Sequence, residues 1–227
     1  MFIVKLIVGT IINLGLFGGL LFLPAGTLAW WRAWVFIGVV FVATVATLVS
    51  LFPGHKDLLD ERLKPLFQEG QPLADKIFVL LFIPSFFGLI AAIPLDVFRF
   101  HLMGEPGIVV SSLGLVLFIA GWWIISLSFR ENPFAAPVVK LQEERHQTVI
   151  DTGAYAVVRH PMYAGAVLLM VGMPLWLESY AATLLASVPI GLLAVRILIE
   201  EEFLRRELAG YAAYTRKVRY RLIPLIW

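Results

Sequence analysis

Long stretches of apolar residues separated by short polar connections run through this 227-residue chain. A membrane-spanning helix needs about 20 predominantly apolar residues, and several stretches approach or reach that length. They cover residues 6–24, about 33–52, 77–95, 108–129, 162–177 and 180–199. Only Glu178 and Ser179 separate the last two, which indicates a tight helical hairpin with a short first arm. The pattern predicts an all-α, polytopic integral membrane protein with five or six transmembrane helices.

The composition supports a membrane protein. Hydrophobic residues make up 60% of the chain and charged residues 15%, against about 25% charged in a typical soluble domain. The absence of cysteine excludes disulfides, thiolate catalysis and cysteine-based metal sites. No metal site is predicted, because none of the histidines has a partner at metal-ligand spacing. We expect a single membrane domain over residues 1–227, with a four-span part at 1–129 and a second part at 130–227.

The distribution of basic residues predicts the orientation in the membrane. With the N-terminus inside, 16 of the 18 Lys and Arg residues fall on the cytoplasmic side, and Arg32 and Arg99 lie outside. The polar connections 53–76 and 130–160 then share the cytoplasmic side with the N-terminus and the C-terminal tail. A site for a polar ligand is expected there. The basic pI is thus interpreted as a topology signal, and no nucleic-acid partner is predicted.

The C-terminal residues change character after Glu200. Residues 200–214 predict an amphipathic helix, interrupted at Gly210, that lies along the membrane surface. The last nine residues, 219–227, contain apolar side chains that can enter the membrane interface.

Residues 152–165 combine polar and aromatic side chains before an apolar stretch. Arg159 and His160 precede Pro161, a residue that suits the first position of a helix. The positive N-terminal end of that helix, beside a cation and an imidazole, favours an anionic group. Alternatively, Arg159 and His160 anchor the helix among lipid headgroups, with Tyr155 and Tyr163 as interfacial aromatics.

A second charged cluster lies at the end of the last apolar stretch. Arg196 and Glu200 are four residues apart, and therefore on one helical face, close to the hydrocarbon edge. An ionisable residue there is costly unless it is paired or functional. Two other pairs at the same spacing need no ligand: Glu201 with Arg205, and Glu202 with Arg206. Arg196 and Glu200 are the better functional candidates.

Three motifs together resemble the isoprenylcysteine carboxyl methyltransferase family of integral membrane enzymes. They are G-x-Y-x-x-x-R-H-P-x-Y-x-G over 153–165, R-x-x-x-E-E over 196–201 and Y-x-x-Y over 211–214. The resemblance covers roughly residues 130–224. It implies that residues 130–227 form a methyltransferase part with an S-adenosyl-L-methionine pocket at the cytoplasmic face. It also implies a lipophilic or lipidated acceptor that enters from the membrane lipids, most simply a carboxylate of an isoprenylcysteine-like or other lipid substrate. A free isoprenoid, a fatty acid and a phospholipid amine are the open alternatives.

The resemblance also assigns roles to individual residues. Arg196 matches the residue that meets the acceptor and is the predicted catalytic residue. The residues that match the cofactor pocket are Gln142, Gln147, Thr148, Val149, Ile150, Tyr155, His160, Pro161, Met162, Tyr163, Glu200 and Glu201.

The residue types suit methyl transfer to a carboxylate. That reaction joins a cation and an anion, so it needs alignment and desolvation but no strong base, and Arg196 can bind a carboxylate through two N–H groups. An amine or hydroxyl acceptor would require a base, either His160 or a glutamate.

Two alternatives remain open. One is a membrane NAD(P)H-dependent sterol or steroid reductase, although no second basic cluster for a ribose phosphate is evident. The other is a non-enzymatic membrane carrier or scaffold, which would need polar residues near the midplane of the spans. The oligomeric state cannot be read from the sequence.

Overall fold

The computed structural model describes residues 2–52 and 54–227. Its α-helices, in chain order, are α1 (Phe2–Ala25), α2 (Trp31–Leu51), α3 (Lys56–Arg62), α4 (Leu73–Leu95), α5 (Ile108–Glu131), α6 (Pro161–Trp176), α7 (Tyr180–Leu185), α8 (Ser187–Glu207) and α9 (Tyr211–Lys217). Among the described residues, five helical segments are long and apolar enough to span a membrane: α1, α2, Leu73–Phe100, α5 and Tyr180–Glu207. These segments confirm the predicted all-α polytopic fold, and α6 is the shorter apolar helix.

Proline shapes several of these helices. α4 continues through Pro84 and Pro94, as expected in a membrane helix whose neighbours satisfy the freed carbonyls. The segment Tyr180–Glu207 is interrupted at Ala186, between α7 and α8. Pro189 lies in the first turn of α8, where its missing N–H is tolerated. Because it cannot donate to the residue four positions earlier, it also accounts for the break.

The C-terminal region differs from the prediction. Residues from Glu200 to Glu207 continue α8, and the next helix, α9, starts only after Gly210. Gly210 does interrupt the helix as expected, with a φ of 85°. The apolar side chains of this region pack against the connection before α6 instead of forming a free membrane-facing side. That cluster comprises Leu208, Tyr211, Tyr214 and Val218, with Leu141, Val149 and Leu204 against it.

The chain divides into two compact units. The first comprises Met1–Val49, Pro84–Ala120 and Leu168–Val188. It contains the buried Arg32, whose Nε lies 3.0 Å from an oxygen of Glu178. The Arg32 guanidinium also lies 4.8 Å from the ring centre of Trp176. An ion pair and an aromatic contact therefore compensate the burial of this cation.

The second unit comprises Ser50–Ile83, Gly121–Val167 and Pro189–Trp227. It contains the polar connections, the N-terminal half of α6 and nearly all of α8, and it therefore contains the predicted site residues.

Glycines allow α5 and α6 to approach closely. In the second unit, a Cβ added to Gly165 would lie 2.5 Å from the carbonyl oxygen of Gly121. In the first unit, a Cβ on Gly172 would lie 2.5 Å from the carbonyl oxygen of Gly114. Small residues commonly permit such close packing between membrane helices. Gly15 and Gly19 of α1 form a G-x-x-x-G pattern. They allow no such approach among the described residues, since a Cβ on Gly15 meets nothing within 4 Å and one on Gly19 meets only Leu23 Cδ1 at 3.9 Å.

The close approach at Gly165 gives a stability prediction. Gly165→Ala should lower stability by about 1–3 kcal/mol, because the new methyl group overlaps backbone that cannot move freely. Gly15→Ala is the matched control and should not lower stability, since its methyl group enters open space. Thermal unfolding of both variants in detergent tests this. Equal midpoints for the two variants would contradict the packing role of Gly165.

Candidate active site

A cavity lies in the second unit and brings most of the predicted site residues together. Nine of the twelve predicted cofactor residues line it: Gln147, Thr148, Val149, Ile150, Tyr155, His160, Met162, Tyr163 and Glu200. The lining also includes residues that sequence reasoning missed: Asn132, Phe134, Ala135, Ala136, Val138, Val139, Lys140, Leu204 and Leu208. Gln142, Pro161 and Glu201 do not line it, and their predicted cofactor contact stays a prediction.

The start of α6 is built as the sequence predicts. Pro161 is the first residue of the helix. Immediately before it, the backbone N–H groups of Arg159 and His160 donate to the carbonyls of Tyr220 and Arg221, both at 2.9 Å. The segment that precedes α6 is therefore held by the C-terminal tail.

Arg159 is buried and forms an ion pair inside the protein. Its Nε lies 2.6 Å from Glu201 Oε1, and its Nη1 donates to the carbonyls of Val218 and Arg219 at 2.7 and 2.8 Å. The alternative that places Arg159 among lipid headgroups is therefore wrong for this residue. Its contacts instead fix the C-terminal tail to the start of α6.

Glu201 is the centre of this cluster. Besides Arg159, its carboxylate contacts Nε2 of His160 at 3.3 Å and Nε of Arg221 at 3.2 Å. Nη2 of Arg205 lies 3.5 Å away, the predicted pair at four-residue spacing. Glu201 is only 2% exposed, and the three guanidinium groups compensate its buried charge.

Arg196 and Glu200 meet through a third side chain. The Tyr163 hydroxyl donates to Glu200 Oε2 at 2.6 Å and accepts from Arg196 Nε at 3.0 Å. Arg196 Nη2 donates to the carbonyl of Pro137 at 2.9 Å. Its Nη1 lies 3.3 Å from Oδ1 of Asp75, a residue that sequence reasoning missed. The predicted pair thus belongs to a chain of side-chain contacts that runs from Asp75 through Arg196 and Tyr163 to Glu200.

Tyrosines form much of the remaining lining. The Tyr214 hydroxyl donates to the carbonyl of Tyr155 at 2.7 Å, and the Tyr155 hydroxyl accepts from Asn132 at 3.2 Å. Burial raises the pKa of Tyr155, Tyr211 and Tyr214 above the ordinary value of tyrosine. These phenols therefore stay protonated at neutral pH and do not act as bases.

Gln142 does not line the cavity but stabilises the connection between α5 and α6. Its side chain is buried, donates to the carbonyl of Phe134 at 2.8 Å and accepts from Arg145 at 2.6 Å. Its backbone N–H donates to the Gln147 side chain at 2.9 Å. These contacts hold residues 134 and 147, both of which line the cavity.

The lining fits a nucleoside cofactor of the kind that the resemblance implies. Within the part of the chain that the structure describes, the backbone groups of Thr148, Val149 and Ile150 form no hydrogen bond. Their N–H and C=O groups are therefore available to form hydrogen bonds with the edge of a nucleobase. The half-buried Glu200 carboxylate can accept hydrogen bonds from ribose hydroxyls or face a cation.

Comparison with known families agrees with this chemistry. The model of the family described as Phospholipid methyltransferase (PEMT) matches residues 109–209. No significant match to a curated protein is found. The matched range contains α5, α6, α7 and α8, and with them Tyr163, Arg196 and Glu200.

This match confirms a membrane methyltransferase with S-adenosylmethionine as cofactor and a lipid as substrate. It does not extend to the isoprenylcysteine specificity that the motifs suggested. Residues 109–209 thus match a phospholipid methyltransferase family domain, a family that belongs to the membrane methyltransferases related to isoprenylcysteine carboxyl methyltransferase.

Proposed function

We propose that this protein transfers a methyl group to the headgroup of a lipid at the cavity of the second unit. The observation that carries the proposal is the chain of contacts from Arg196 through Tyr163 to Glu200. It lies inside the matched residues, and Tyr163 and Glu200 line the cavity. When bound, S-adenosylmethionine supplies an electrophilic methyl group. Neither a reductase nor a carrier accounts for the family match.

Glu200 is the proposed anchor for the cofactor. Tyr163 fixes one of its carboxylate oxygens at 2.6 Å, and two oxygens give the carboxylate capacity for further hydrogen bonds. The backbone of residues 148–150 is the proposed contact for the base. Tyr155, His160 and Met162 complete the same wall.

A carboxylate acceptor is one candidate, and it depends on Arg196. Each of the three nitrogens of that guanidinium already contacts a protein group: Tyr163, Pro137 or Asp75. The Asp75 carboxylate also balances the charge of Arg196. A second carboxylate at Arg196 would therefore lie close to a like charge, which weakens its binding.

A phospholipid amine is the acceptor that we favour. The family description names phospholipids, and the neutralised Arg196 does not repel an ammonium group. An ammonium must lose a proton before its nitrogen can accept a methyl group. Glu200 and His160 are the ionisable side chains of the lining that can take that proton.

We also propose that the N-terminus, the cavity and the C-terminus face the cytoplasm. The proposal rests on the 16 basic residues that this orientation places on the cytoplasmic side.

Ligand binding and product analysis test the function. Detergent-solubilised protein should bind S-adenosylhomocysteine in calorimetry and should not bind reduced nicotinamide dinucleotides. With labelled cofactor and lipid extract, the label should enter phospholipid as an alkali-stable N-methyl group. Alkali-labile label would identify a methyl ester and favour the carboxylate acceptor. Absence of both binding and transfer would contradict the proposed function.

A further inference from the structure

We propose that Asp75 is a positioning residue for Arg196 in the methyl transfer reaction. The inference rests on the proposed function and extends it beyond the matched domain, because Asp75 lies in α4, outside residues 109–209. It assigns part of the active site to the region before the family domain.

Asp75 is fully buried, with an exposed fraction of 0%. Its Oδ2 accepts hydrogen bonds from the side chain of Gln71 at 2.7 Å and from the backbone N–H of Val139 at 2.9 Å. Its Oδ1 forms no hydrogen bond with the described residues. That oxygen lies 3.3 Å from Arg196 Nη1. Both hydrogen bonds are made to Oδ2, which leaves Oδ1 to face the guanidinium.

Asp75 does not hold Arg196 alone. Phe78, one turn further along α4, places its ring centre 4.7 Å from the guanidinium carbon. The remaining contacts come from Tyr163 and Pro137. Arg196 is 5% exposed, and a buried cation without its counter-ion is strongly disfavoured. Asp75 and Phe78 thus set both the charge balance and the position of this side chain.

The position of Arg196 affects the cavity through Tyr163, which lines it. The same Tyr163 hydroxyl contacts both Arg196 and Glu200. A shift of the guanidinium therefore displaces the Tyr163 hydroxyl at the cavity wall, whereas the Glu200 carboxylate keeps the charge that is proposed to hold the cofactor. Misplacement of a reacting group by about 1 Å can cost about a hundredfold in rate.

A purely structural role is the competing explanation, because Asp75 also connects α4 to Val139. Gln71 offers a matched control. Its side chain donates to the same carboxylate and accepts from the backbone N–H of Gln68. Gln71→Met therefore removes two structural hydrogen bonds while the charge that faces Arg196 remains.

The test compares Asp75→Asn with Gln71→Met. Asp75→Asn should lower kcat by about a hundredfold and change S-adenosylhomocysteine affinity by less than about twofold. Gln71→Met should retain kcat within a few-fold, even where the two variants lose similar thermal stability. In an Arg196→Lys background, Asp75→Asn should cause little further loss of kcat, since it acts through the guanidinium.

Phe78→Leu is a second variant that leaves every charge in place. It should lower kcat by about tenfold with unchanged cofactor affinity, because the guanidinium loses the ring beneath it. This variant decides the question if Asp75→Asn does not fold. The inference is overturned if Asp75→Asn and Phe78→Leu both show the same kcat and thermal stability as Gln71→Met. Failure of the wild-type protein to bind S-adenosylhomocysteine and transfer methyl would instead reject the proposed function itself.

Discussion

Glu201→Gln is expected to destabilise the protein by about 3–5 kcal/mol, the cost of breaking a buried ion pair by removing one partner. The variant leaves the buried guanidinium of Arg159 without its counter-ion at 2.6 Å. The same change removes the charge that binds Arg221, 3.2 Å away in the C-terminal tail. Thermal unfolding in detergent should show a large drop in the midpoint.

The same variant should also release the C-terminal tail. Arg159 donates to the carbonyls of Val218 and Arg219, and we expect these bonds to weaken once Arg159 loses Glu201. Limited proteolysis should then cut after basic residues of segment 216–221 faster than in the wild type. Loss of cofactor binding should follow, because Tyr211 and Tyr214 of the neighbouring α9 line the cavity.

Glu202→Gln is the matched control, one residue along the same helix. Glu202 is exposed and its partner Arg206 lies 3.8 Å away, a surface pair of the kind that contributes little. We expect its unfolding midpoint and tail proteolysis to match the wild type. Similar behaviour of Glu201→Gln and Glu202→Gln would show that the buried cluster does not hold the tail.

The spans could be predicted because hydrophobicity alone decides membrane insertion. Residues 6–24 and 108–129 correspond to α1 and α5 within a few residues. The C-terminal helix was harder to place. The pattern after Glu200 is amphipathic in either case, and local periodicity does not tell whether the apolar side faces lipid or Leu141 and Val149.

The site residues also divide into those that the sequence could predict and those that it could not. Residues of one short motif, such as Tyr155, His160 and Tyr163, come together because they are near neighbours in the chain. Asp75 could not be found in this way, since its contact with Arg196 spans 121 positions. One property did set it apart: it is an acidic side chain two residues before an apolar stretch. Such a residue must find a cation or hydrogen-bond donors once buried.

Helical spacing also gave an incomplete view of Arg196 and Glu200. Four-residue spacing predicts that both side chains share one face, and both do contact the Tyr163 hydroxyl. The spacing does not reveal that a tyrosine from α6 lies between them or that Asp75 neutralises Arg196. This geometry decides which variant tests Arg196. Arg196→Met would leave Asp75 buried without a cation, so Arg196→Lys is the better test.

Arg196→Lys and Glu200→Gln are expected to have different phenotypes. Glu200→Gln should weaken S-adenosylhomocysteine binding by about tenfold or more, about 1.4 kcal/mol, because the amide lacks the charge and one acceptor of the carboxylate. Arg196→Lys keeps a cation beside Asp75 but loses the planar fork that reaches Tyr163, Pro137 and Asp75 together. It should retain cofactor affinity and lose about a hundredfold in kcat.

The double variant and two surface controls complete this experiment. If Glu200 anchors the cofactor and Arg196 acts on the transfer step, the double variant should show the affinity of Glu200→Gln and the low kcat of Arg196→Lys. Arg206→Lys and Glu202→Gln make the same chemical changes at exposed positions of α8 and should behave like the wild type. Equal loss of cofactor affinity in both single variants, without further loss in the double, would contradict the division of roles. Arg196, Tyr163 and Glu200 would then act as one structural unit.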